Sequence, residues 1–132
     1  MRGQFVEATK VNREKLSWGQ LAYLSRPSFT GAKSLVTIEV QIGNGGGHSF
    51  HKHPKQEEVI YVISGRIEQW LEKEKKILGP GDSIFIPPNT VHASFNVFKE
   101  DAKVLAILGP CAGEDGYEVV DVFNEAPWNS LR

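Results

Sequence analysis

The chain has 132 residues, 40% apolar, 10% aromatic and 23% charged, the profile of one soluble globular domain that can bury a core without disulfides or a structural metal. Fifteen basic residues against sixteen acidic ones leave no charge excess for a nucleic acid or an anionic membrane, and neither partner is expected. The single cysteine, Cys111, cannot close an intramolecular disulfide, and no apolar run reaches membrane-spanning or signal-peptide length, so a cytoplasmic protein is expected.

Residues 1–34 mix polar and aromatic side chains without a clear period and read as an N-terminal arm holding one or two edge strands. Residues 35–123 read as the barrel. "LVTIEVQI" alternates, with Val36, Ile38, Val40 and Ile42 on one face and Thr37, Glu39 and Gln41 on the other, and "NGGG" ends it. "EEVIYVIS" is apolar on both faces, which predicts a strand covered inside by a barrel and outside by the arm or a partner chain. "RIEQWLE" and "KKIL" flank a charged turn as a hairpin, and "GPGD" turns into "SIFIP". After two prolines that cannot donate to a central ladder, alternation resumes at Val91. "AKVLAILG" and "EVVDVF" supply the last strands, and the tail, residues 124–132, has room for a short helical turn. About eight core strands with no sustained helical period indicate an all-β domain, either a small closed barrel or a two-sheet jelly roll.

One segment carries metal chemistry. In "HKHPKQEE", His51 and His53 are two apart, so a strand aims both imidazoles at one point. A carboxylate after the turn at Pro54 suits a third ligand, and Glu57 and Glu58 compete for that role because both faces of the next strand are apolar. His92 follows in a separate segment that a barrel would bring back across the same interior. His48 has the opposite parity and is expected to be an exposed loop histidine. Cys111 has no neighbouring base and is not expected to act as a nucleophile. Trp18, Tyr23, Phe50, Trp70, Phe95 and Trp128 are expected in core or interface.

These residues resemble the two motifs of the cupins. The first, G(x5)HxH(x3–4)E(x6)G, is matched by Gly45, His51, His53, Glu58 and Gly65. The second, G(x5)PxG(x2)H(x3)N, is matched by Gly81, Pro87, His92 and Asn96, with Asn89 where the pattern has glycine. Asparagine is the next most tolerant residue of a left-handed turn, so the departure is mild. The motifs and their short spacer cover residues 45–96.

The resemblance implies a small single-domain cupin, a double-stranded β-helix, with His51, His53, Glu58 and His92 as ligands of one divalent transition metal inside the barrel. It also selects Glu58 over Glu57, since only Glu58 lies six intervening residues before Gly65. Three imidazoles and a carboxylate suit Fe, Mn, Ni, Co or Zn, with iron slightly favoured, and leave positions open for a small-molecule ligand or substrate. A dioxygenase-like oxidoreductase similar to quercetinase-like cupins is expected. The same scaffold hosts isomerases, decarboxylases, lyases and non-catalytic binding modules. Strand parity makes Ser94 and Asn96, on the face of His92, and Gln69, on an otherwise apolar face, candidates to border the pocket. The doubly apolar strand and aromatic arm suggest a homodimer.

Overall fold

The computed structural model describes residues 2–132. Its strands are β1 (Asn12–Leu16), β2 (Gly19–Ser25), β3 (Val36–Ile42), β4 (Gly47–Lys52), β5 (Glu57–Ser64), β6 (Ile67–Leu71), β7 (Glu74–Leu78), β8 (Ser83–Ile86), β9 (His92–Phe95), β10 (Ala102–Gly109) and β11 (Val120–Asp121). They form two antiparallel sheets, ordered β1-β2-β3-β10-β5-β8 and β11-β4-β9-β6-β7, which pack face to face as a jelly roll. No helix among the described residues is long and apolar enough to cross a membrane.

The alternating strands bury the faces their patterns mark. Val36, Ile38 and Ile42 of β3, Ile60 and Val62 of β5, and Val104, Ala106 and Leu108 of β10 fill the space between the sheets. On the second sheet the residues out of phase with His51 and His92 face away from that space. There Phe50, Trp70, Ala93 and Phe95 form a separate cluster, covered by Val122, Trp128 and Leu131 of the C-terminal segment, whose Trp128–Ser130 makes the short helical turn. Those aromatics are core, as their composition suggests.

The N-terminal region is only partly an arm. Its second half is a β1–β2 hairpin that extends the first sheet through β2–β3 pairing, with Leu21, Ala22 and Tyr23 buried, whereas Phe5 is fully exposed. Because the hairpin docks beyond β3, it leaves the outer face of β5 open: Val59, Tyr61 and Ile63, with Phe85 on β8, are 37–54% exposed in the single chain. The cover expected on that face is therefore not supplied by the arm. "EVVDVF" yields only the two residues of β11, and the stretch before it is irregular backbone apart from the single turn Glu114–Gly116.

Candidate metal centre

His51 lies near the end of β4 and pairs directly with His92, the first residue of β9. His53 follows β4, and Glu58, the second residue of β5, comes from the opposite sheet. Two sheets thus deliver four side chains to one point, and His51, His53, Glu58 and His92 are each at most 5% exposed. One ring nitrogen from each of the three histidines lies within 4.8 Å of the other two, close enough for the three to hold one metal ion. Glu57, one residue earlier on β5, points to solvent.

The backbone sets the tautomers. Nδ1 of His51, His53 and His92 lies 2.6, 2.8 and 3.0 Å from the carbonyl oxygens of Ser49, Glu118 and Thr90. A carbonyl can only accept, so each Nδ1 carries the proton and each neutral ring presents its Nε2 lone pair to the interior. Nε2 of His92 and of His53 lie 2.9 and 3.2 Å from Oε1 of Glu58. In the neutral-imidazole state both sides of each contact are acceptors, and all three atoms are buried without a hydrogen-bond partner. Convergent, buried, unpartnered acceptors need a cation or added protons between them. A divalent transition metal fits that donor set.

Where no cation is bound, protons take its place. Burial alone would raise the Glu58 carboxyl, but hydrogen bonds from His53 and His92 when protonated, and their charge, hold it at about 2. Burial would lower His53, and its contacts with Glu58 outweigh that and raise it. Burial and then the neighbouring His48, His92 and His53 push His51 well below its ordinary value.

Beside this cluster is a cavity with about 40 Å³ open to the centres of water molecules, walled by aliphatic side chains of β2, β3, β5 and β10 and by His48, His51, Glu58, His92, Ser94, Trp18 and Tyr117. Ser94 borders it and donates from Oγ to Oε1 of Gln69 at 2.6 Å, while Nε2 of Gln69 donates to the Trp70 carbonyl. Gln69 is therefore a paired core amide behind Ser94. Asn96 does not reach the cavity. Its amide donates to the carbonyls of Ile42 and Glu100 and accepts from the Phe98 N–H, bracing strand ends instead.

His48 is not the exposed loop residue its parity suggests. Across β4–β9, His48 pairs with Ser94 and His51 with His92, three steps on one strand against two on the other. The extra residue is a β-bulge, which reverses parity and turns His48 onto the cavity face. Its ring stacks on His51 with centroids 3.5 Å apart and 9° between planes, and burial lowers its pKa to about 4. The glycines before β4 are the sequence signal for such an irregularity. Trp18 and Tyr117 likewise join the cavity from loops. Gln56 had no sequence signal at all: 1% exposed, it donates to the Pro110 and Gly116 carbonyls and accepts from the Glu118 N–H, holding the segment that orients His53.

The Cupin domain family model matches residues 38–108. Over 127 residues the chain is 32% identical to the polyketide synthase CurC of Streptomyces cyaneus, covering 96% of this chain and 81% of that one. It is 32% identical to quercetin 2,3-dioxygenase of Bacillus subtilis over 60 residues, 46% of this chain and 18% of that protein. Among solved structures, KdgF from Halomonas sp. superposes with a TM-score of 0.73 at 24% identity, covering 83% of this chain and 94% of the other.

Proposed function

The chain belongs to the cupin family, and on that premise we propose that it is a metal-dependent small-molecule enzyme of the dioxygenase-like oxidoreductase kind, with His51, His53, Glu58 and His92 as the ligands of one divalent transition metal. The observation that carries this reading is the convergence of buried, unpartnered acceptor atoms from His53, Glu58 and His92, with His51 beside them, at the wall of an apolar cavity. Bound there, such an ion supplies Lewis acidity or redox chemistry.

The chain's own residues do the rest. Backbone carbonyls fix the three imidazole tautomers, Ser94 presents a hydroxyl held by Gln69, and the aliphatic wall limits the water beside the reacting centre to a small volume. The likeness to CurC over most of both chains supports a small-molecule substrate, and the shorter likeness to quercetin 2,3-dioxygenase supports oxygen chemistry. A homodimer through the open face of β5 and β8 is part of the same reading.

Oxygen consumption by the Fe(II)-loaded protein across a panel of enolic and phenolic compounds tests the proposal. Uptake that requires both metal and substrate is the expected result. Turnover in anaerobic isomerase, decarboxylase or lyase screens without oxygen uptake would replace the dioxygenase reading, and a purified protein that takes up no divalent metal would overturn it.

A further inference from the structure

Three of the four histidines have Nδ1 tied to a backbone carbonyl. His48 is different: among the described residues neither of its ring nitrogens has a protein hydrogen bond, although the ring lines the cavity. It is held by stacking instead, between His51 at 3.5 Å and Trp18 at 5.3 Å between centroids, with 20° between the planes of Trp18 and His48. Trp18 sits at the tip of the β1–β2 hairpin, and that tip packs backbone to backbone on the strand leading into His48. A Cβ on Gly46 would collide with the Trp18 carbonyl oxygen, so the close approach requires glycine there.

Trp18 is also a shared wall. On one side it closes the metal cavity, and on the other it lines an outer groove of about 300 Å³ with Lys15, Gln20, Gln41 and Asp101. The space inside, about 40 Å³, is well below the roughly 150 Å³ of a cavity that accepts benzene. A ligand of a few heavy atoms fits with Trp18 in place, whereas a ring does not.

Resting on the metal-bound reading above, we infer that Trp18 and His48 are the specificity-determining pair of this site: Trp18 sets the size limit of the ligand, and His48 gives it a hydrogen bond. A neutral imidazole offers one donor and one acceptor, which suits a small oxygen-bearing ligand such as an enol or a short acid.

The test uses Co(II)-loaded protein, with metal content by elemental analysis and probe binding by visible absorption, and two probes: azide, which is small, and nitrocatechol, which carries a ring. Trp18→Ala should keep its metal, bind nitrocatechol at least about tenfold more tightly than wild type, and bind azide within about threefold of it. Trp18→Phe, which keeps an apolar contact, should fall between the two. His48→Phe preserves the stack and should keep the metal while weakening nitrocatechol binding in the Trp18→Ala background by about fivefold to tenfold. Equal changes for azide and nitrocatechol, or none, overturn the size limit, and unchanged binding in His48→Phe overturns the contact. Wild-type protein that takes up no Co(II) would instead overturn the metal reading. In that case the size limit is read on metal-free protein by calorimetry: indole should bind Trp18→Ala and not wild type, and indole binding to neither, or to both alike, refutes it.

Discussion

Nδ1 of His53 donates to the carbonyl oxygen of Glu118, 2.8 Å away and 65 positions later in the chain. A histidine of the first motif is thereby aimed by a segment outside both motifs, and that segment is held by Gln56. Gln56→Leu would remove the partner of the Pro110 carbonyl and of the Glu118 N–H and leave the Gly116 carbonyl only its bond from the Ala112 N–H. It should destabilise the fold by about 2–4 kcal/mol in denaturant titration and weaken metal binding about 10- to 100-fold in a chelator competition. Unchanged metal affinity in a folded variant would show that His53 is aimed without this brace.

The two glutamates of "EEVIYVIS" should separate cleanly. Ala in place of His51, His53 or His92, or Glu58→Gln, should lower metal content at least about tenfold, whereas Glu57→Gln, altering a residue that faces solvent, should leave it unchanged. Equal losses at Glu57 and Glu58 would contradict the assignment.

Asn89 adopts a left-handed backbone, with φ of 61°, and its N–H donates to the His53 carbonyl at 2.9 Å. This bond ties the second motif to the first. Asn89→Gly should be nearly neutral in thermal unfolding, and Asn89→Val should cost about 1–2 kcal/mol. A neutral Val variant would show that the loop can relax.

Asp115 docks the loop before Tyr117 onto the short helix α1 (Pro27–Thr30), accepting from the Ser28 hydroxyl and N–H and pairing with Arg26. The bond from the Ser28 hydroxyl lowers its pKa below the ordinary 3.8, desolvation opposes it, and the Ser28 N–H and the Arg26 charge add to the lowering. A depressed carboxylate stabilises the fold above its unfolded pKa and loses that contribution as pH falls from 3.8 through the lower folded value. Acid unfolding of wild type should therefore be steeper below that pH than that of Asp115→Asn. Parallel curves would rule the contribution out.

The open face of β5 and β8 should be covered by a second copy. Wild type is expected to scatter light as a dimer at micromolar concentration, and Phe85→Glu with Tyr61→Lys, both on that exposed face, should give a folded monomer. A monomeric wild type would refute the dimer.

Much of the molecule was legible in one dimension because alternation is local. Val36 to Ile42 announce which side of β3 faces inward, and Val36, Ile38 and Ile42 are buried accordingly, whereas Glu57 to Ser64, apolar on both faces, left the inward side of β5 to the tertiary structure. Motif spacing pointed to His51, His53, Glu58 and His92, and the geometry brings all four together. Parity failed at His48 because one extra residue in β4 inverts the rule, and a bulge is decided by the partner strand. Asn96 shares parity with His92 yet lies just past the end of β9, where its amide braces backbone rather than facing the cavity.

By itself the sequence determined the all-β class and the inward face of β3, since period and residue type are properties of short segments, and its resemblance to the cupin motifs singled out the four converging side chains. The tertiary structure alone decided that Gln56 and the Glu118 carbonyl aim His53, that His48 turns inward, and that Trp18 closes the cavity. Each of these depends on contacts between residues distant in the chain or on register between strands, for which no local pattern exists.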